Sequence, residues 1–276
     1  MDTAMGYDLK DPSKSHHPLV NGRISLRSAH NVIHWGLNIV LPLMALFTLW
    51  VSPAPVPALI ALLIWVAWGF SYNNGLSKES LYGFIPISVC FASWAAWGWL
   101  LSHETLGGLG WLYVIYMFFT ILYQISWSGF IKDFGMEERS NILVKLGARM
   151  TSRTIPASQY FEPGPKAMMW AVSIKFLNIA VLLAAFYYMN VQSWIYWVWV
   201  DGMLVLIGFF LLKAVIPRPY IREDELKVMS VMEILTIYMP LPLFVGWPTA
   251  IVMMIAGVLY FVGVNKWLWG KSTPGV

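Results

Sequence analysis

Charge is scarce in this chain. Only 12% of its 276 residues are Asp, Glu, Lys or Arg, about half the share of a soluble domain. Hydrophobic residues reach 58%, and the mean hydropathy is +0.63. That balance excludes an ordinary cytosolic globule and a disordered chain, and it points to a polytopic membrane protein. Cysteine is almost absent. The single Cys90 excludes a disulfide framework and any CxxC metal site. The first 30 residues lack an apolar run of the secretory type. Alternation at period 2 is also missing, which argues against a β-barrel. A net charge of +4 is no nucleic-acid footprint, because the basic residues sit in short connections between apolar segments. What the chain does have is apolar runs and aromatics, including 16 Trp and 13 Tyr. Most of the Trp are expected to face lipid or the interface.

A span needs about 20 apolar residues, and the runs predict about eight. They cover roughly 32–51, 57–72, 83–101, 110–130, 167–188, 193–212, 229–246 and 249–265. Since backbone groups in lipid must pair within their own segment, the expected fold class is all-α, a polytopic transmembrane helical bundle. Residues 1–31 form a polar N-terminal segment, residues 32–270 the bundle, and 131–166 its longest loop. Alternate connections are basic. Lys10, Lys14, Arg23 and Arg27 precede span one, and Lys78 follows span two. The segment after span four holds Lys132, Arg139, Lys145, Arg149, Arg153 and Lys166. Lys213, Arg218, Arg222 and Lys227 follow span six, and the tail carries Lys266 and Lys271. Connections 52–56, 102–109, 189–192 and 247–248 contain no Lys or Arg. The positive-inside rule then places both termini in the cytoplasm. Lys175 reads as lying near the basic start of span five. Ser52-Pro53-Ala54-Pro55 predicts a tight turn, and Pro163-Gly164-Pro165 the end of the long loop. Residues 137–150 predict an amphipathic helix on the membrane face, with Ile142, Leu143, Leu146 and Met150 at helical spacing.

The acids are not scattered evenly. Asp2, Asp8 and Asp11 lie in the N-terminal segment, and Asp133, Glu137 and Glu138 follow span four, on the same side. Asp8 and Asp11 are three apart and Asp133 and Glu137 four apart, so each pair shares a face if helical. Such like-charged neighbours repel unless they share a cation, and oxygen-only donors suit Mg²⁺. Lys14, Arg23, Lys132 and Arg139 adjoin both clusters. Carboxylates with Lys and Arg at an apolar mouth suit a diphosphate carrying an apolar tail. The alternative is a set of solvated loops with no ligand. Asp201 and Glu233 are acids inside spans. Such groups usually face a partner or cavity, with Asp201 a candidate hydrogen-bonding residue and Glu233 close enough to the inner end to snorkel. His16, His17, His30 and His34 lack the spacing of a zinc site.

The run HPLVNGRISLRSA (17–29) resembles the segment after the first Asp-rich motif of the UbiA superfamily of intramembrane prenyltransferases. GFSYNNGLSKESLYG (69–83) resembles that family's YS…LK…G segment, and IKDFGMEERSNILVKLGAR (131–149) its second Asp-rich motif. NKWLWG (265–270) is similar to the closing run of bacterial members. The resemblance covers nearly the whole chain, with the last two spans matching weakly. It implies a UbiA-like bundle around a central cavity, with Mg²⁺ and a prenyl diphosphate held at the cytoplasmic mouth. Ionisation would give an allylic cation that alkylates a hydrophobic or aromatic acceptor. Carried over by position, Asp8, Asp11, Asp133, Glu137 and Glu138 would bind metal. Lys132, Asp133 and Arg139 would be catalytic. Lys14, Arg23, Tyr72, Asn73 and Lys78 would bind substrate. Asp8 and Asp133 would face each other across one mouth, with carboxylates on the order of 10 Å apart.

The chain departs from the pattern in three ways. It begins inside the first motif, without the two helices expected before it, so either the start lies upstream of Met1 or this is a reduced member. Ala4 stands where a middle Asp belongs, and His17 stands at the family's Arg position. The second motif is about six residues short of the usual length. Two further readings share the fold: a UbiA-type terpene cyclase and a non-catalytic lipid- or quinone-binding subunit. A transporter fits less well, because the acids cluster at one face rather than at the midplane.

Overall fold

A computed structural model describes residues 19–73, 82–130, 142–154, 157–219 and 221–269. Helices dominate these residues and cover each of the eight apolar segments. α1 runs over Leu26–Val51, with a π-helical stretch at Gly36–Val40. α2 is Pro55–Ser71, α3 is Phe84–Leu100, and α4 is Gly107–Tyr123, continued by a π-helical turn at Gln124–Ser128. A short α5, Ile142–Lys145, precedes a β-hairpin. α6 is Pro165–Tyr188, α7 Trp194–Val215, α8 Arg222–Tyr238, α9 Leu241–Val245 and α10 Trp247–Trp269. Among the described residues, five helical stretches are long and apolar enough to cross a membrane: α1, α4, α6, α7 and the α8–α9 stretch Lys227–Val245. Pro55–Ser71, Phe84–Leu100 and Trp247–Tyr260 are shorter apolar helices.

Local chemistry sets the helix ends. The Ser25 Oγ accepts the Ser28 N–H at 3.0 Å and caps α1. Pro55 and Pro165 open α2 and α6, where a missing N–H costs nothing. The turn at 52–54 is as tight as its prolines predict. There the Ser52 Oγ donates to the Leu100 carbonyl at 2.6 Å and accepts the Ala54 N–H at 3.0 Å.

The helices pack as antiparallel neighbours, and this gives the bundle two distinct ends. The Trp65 and Trp94 rings meet at a tilt, 4.7 Å between centres, and Gly69 lies against Cys90, so α2 and α3 run in opposite directions. α4 and α6 do the same, from Gly108 beside Tyr188 to Ser126 beside Trp170. Trp99 and Tyr113 meet Phe244. One end therefore gathers the short connections near 52–54, 101–106, 189–193 and 239–247, and is called the turn end. The other end gathers Phe84, Trp170, Phe130 and Phe161 with a small sheet, and is called the sheet end.

That sheet departs from the all-α expectation. β1 (Arg149–Thr154) pairs antiparallel with β2 (Ala157–Glu162), from Arg149↔Glu162 to Thr154↔Ala157. β3 (Arg218–Pro219) adds to β2 through Tyr160↔Pro219 and Phe161↔Arg218. The predicted amphipathic helix over 137–150 is likewise corrected where it is described. Helix persists only over Ile142–Lys145, and Arg149 already belongs to β1. Gly147 ends the helix with φ 94°, a conformation that side chains oppose. Gly164 has φ 72°, and a Cβ there would come within 2.7 Å of the Gly147 carbonyl oxygen. Two glycines thus let the start and finish of the hairpin touch.

One ion pair locks the sheet to the bundle. Arg218 donates Nε–H to Glu225 at 2.6 Å and a second N–H to the other carboxylate oxygen. It also donates to the Ala214 and Ile216 carbonyls at 2.7 and 2.9 Å, and its guanidinium lies 5.3 Å from the Phe161 ring centre. Both side chains are largely buried, 12% and 5% exposed. Removing one partner leaves the other as a buried lone charge, so Arg218→Ala is expected to destabilise by about 3–5 kcal/mol. Thermal unfolding in detergent checks this. Arg218→Lys should recover only part of the loss, since an ammonium cannot make the paired contact.

Candidate functional site

Most of the predicted mouth residues lie outside the described residues: Asp8, Asp11, Lys14, Lys78, Lys132, Asp133, Glu137, Glu138 and Arg139. Their separation across a mouth, Asp8 to Asp133 included, falls there too. Three predicted residues are described. Arg23 is exposed just before α1, and its backbone N–H bonds the Asn21 Oδ1 at 3.1 Å. Tyr72 is half-buried at the end of α2. Asn73 is exposed, and its side-chain N–H turns back to the Gly69 carbonyl at 2.8 Å. His30 and His34 sit one turn apart on exposed helix, rings 5.6 Å apart. Among the described residues no group of three His, Cys, Asp or Glu is placed to hold a metal ion.

The strongest concentration of chemistry in the described structure lies elsewhere, inside the bundle where α4, α6 and α8 meet. Lys175 is only 1% exposed. It stands ten residues after Pro165 in the 24-residue α6, about 15 Å along the helix. That is mid-depth, not the basic end that the sequence suggested. Its ammonium donates to the Thr236 Oγ1 at 2.9 Å and lies 4.3 Å from the centre of the Tyr123 ring. Thr236 passes its own hydrogen to the Met232 carbonyl at 2.8 Å. Glu233, one turn from Thr236 and 6% exposed, interacts electrostatically with both Lys175 and Tyr123. It does not snorkel: it is buried on α8, and its charge acts on Lys175. Asp201, by contrast, is exposed on α7.

The same helices are tied together on the turn-end side of this pair. The Tyr116 hydroxyl donates to the Thr236 carbonyl. The Asn178 amide donates to the Tyr116 carbonyl and the Thr120 Oγ1, both at 2.9 Å. Three fully buried atoms, the Tyr123 hydroxyl, the Trp127 Nε1 and the Asn178 Oδ1, have no hydrogen-bond partner among the described residues. The spacing carries a signal that the sequence reading missed. Lys175 and Asn178 are three apart, as are Glu233 and Thr236, while Tyr116 and Thr120 are four apart. Each polar pair lies on one face of its own apolar helix.

This arrangement can hold an ammonium out of water over a π face, with a buried carboxylate on α8 acting on it. No family model matches the chain, and neither a curated protein nor a solved structure shows significant similarity to it.

Lys175 and Glu233 should behave as one unit. Lys175→Met alone leaves a buried carboxylate and is expected to cost about 3–5 kcal/mol, whereas Lys175→Met with Glu233→Leu removes both charges and should cost less. A double-mutant cycle read by thermal unfolding measures the coupling, and additive losses would show that the two charges do not interact.

Proposed function

We propose that this chain is an integral-membrane prenyltransferase of the UbiA type, crossing the membrane about eight times with both termini cytoplasmic. It would move an isoprenoid group from a prenyl diphosphate to a hydrophobic or aromatic acceptor. One observation supports this most directly. Residues 73 and 82, which flank 74–81, and residues 130 and 142, which flank 131–141, all lie at the sheet end. Two of the segments that resemble the family's motifs therefore leave and re-enter the bundle at one end. Arg23, ahead of α1, belongs to that end as well.

The donor set of the two acidic groups is oxygen-only, and Asp8, Asp11, Asp133, Glu137 and Glu138 fit Mg²⁺ by that chemistry. When bound, Mg²⁺ supplies charge neutralisation for the diphosphate. The chain's own cations, Lys14, Arg23, Lys78, Lys132 and Arg139, would bind the phosphate oxygens and stabilise charge growing on the leaving group. Tyr72 and Asn73, at the last turn of α2, would border the donor. The apolar bundle would keep water from quenching an allylic cation.

Asp133→Ala should lower turnover by at least about 100-fold, a size typical of losing one charge-stabilising group. The assay uses purified full-length chain, a set of prenyl diphosphates, Mg²⁺ and phenolic acceptors, with diphosphate release as the readout. Unchanged unfolding temperature separates this from misfolding. Turnover equal to wild type would remove Asp133 from the site.

Lys175 and Glu233 favour a second reading. An ionisable pair at mid-depth is what a proton-coupled transporter uses, and it answers the objection that the acids sit at one face. Liposomes carrying the protein, a trapped pH dye and an imposed pH gradient distinguish the two. A prenyltransferase leaves the gradient as stable as in empty liposomes, and a substrate-dependent collapse would favour transport.

A further inference from the structure

α3 packs between α2 and α4. A groove of about 770 Å³, lined by α2, α3 and α4, lies open over the turn-end part of α3. Its floor is built from small buried side chains, Ala61, Ala92, Ser93 and Ala96. The Ser93 hydroxyl is satisfied by the Val89 carbonyl at 2.8 Å, so the floor offers no free polar group there. Larger apolar side chains, Ile60 and Trp111 among them, stand as exposed walls. The volume falls within the range of small-molecule sites.

Two features indicate what fills it. The first is length. From Leu100 to Val89 the floor spans twelve residues, about 16 Å of helix. This matches one leaflet, half of a hydrocarbon core about 30 Å thick. The groove starts at the turn end and runs about 16 Å toward the sheet end, the reach of an acyl chain within one leaflet. The second feature is charge. Glu104 lies on the rim of the groove. It is the only Asp, Glu, Lys or Arg in 52–54, 101–106, 189–193 and 239–247. An anionic headgroup would meet a like charge and no Lys or Arg. A headgroup ending in an ammonium would meet a carboxylate, and a primary ammonium can also donate hydrogen bonds to it.

We infer that this groove is a binding site for one phospholipid with an ethanolamine headgroup, its acyl chain lying over Ala92 and Ala96 and its ammonium on Glu104. The inference needs only that the chain sits in a bilayer, and it stands apart from the prenyl-transfer reading.

Native mass spectrometry of the full-length protein, delipidated and then titrated with phosphatidylethanolamine or phosphatidylglycerol, tests it. The wild type should retain one phosphatidylethanolamine, preferred over phosphatidylglycerol by roughly threefold, the scale of a rim-exposed charge contact. Ala96→Phe and, separately, Ala92→Phe fill the floor and should abolish that retention with the unfolding temperature intact. Glu104→Gln should keep the bound lipid and lose the headgroup preference. Wild-type retention in either filled variant, or phosphatidylglycerol bound as well as phosphatidylethanolamine, would overturn the proposal. Turnover plays no part in these readouts, so a chain without prenyltransferase activity could still pass.

Discussion

A lysine taken out of water halfway along an apolar helix is the constraint around which α4, α6 and α8 are arranged. An isolated buried ammonium costs several kcal/mol even after relaxation. Here the cost is met from three directions: the Thr236 hydroxyl, the face of Tyr123 and the charge of Glu233. None of these lies on Lys175's own helix. The three helices must therefore meet at one level, and the Tyr116 and Asn178 hydrogen bonds hold them there. Apolar packing alone allows helices to slide and rotate against lipid of similar polarity. A directional polar seam does not.

The sheet end depends on a similar economy of charge. Arg218 faces a carboxylate, two backbone carbonyls and an aromatic ring, so nearly all its donors are used although it is largely buried. Phe161 packs against Trp127, Phe130 and the Arg218 guanidinium, which joins the hairpin to the end of α4 and the start of α8. The outer contact of the hairpin, Arg149 with Glu162 at 2.9 Å, is exposed and contributes little. The resulting scaffold gives the connections at 74–81 and 131–141 fixed points of departure. This is what a site shared between distant parts of the chain requires.

Much of the helical layout was legible because periodicity and punctuation act locally. Prolines at 53, 55 and 165 mark helix edges through their missing N–H, and apolar runs mark the helices themselves. The hairpin was not legible. Over 142–150 the apolar spacing fits a helix, but Gly147 at positive φ and its contact with Gly164 stop it. That contact joins residues seventeen apart, beyond any local window. On the candidate site, the clustering of acids and bases at 2–14 and 132–139 was visible as composition. The depth of Lys175 was misjudged: it reads as lying near the basic start of its span, and only its partners on other helices place it inside the bundle.

The sequence by itself determined that this is a chain of apolar helices joined alternately by basic connections and connections without Lys or Arg. The cause is local: hydrophobicity and backbone hydrogen bonding are settled within each segment. Only the tertiary structure decided which polar residues face one another. Lys175, Tyr123 and Thr236 lie on three helices separated by at least 52 residues of chain, and their meeting follows from helix rotation and register. Those are set by the need to satisfy every buried polar group at once, a condition that no single segment can express.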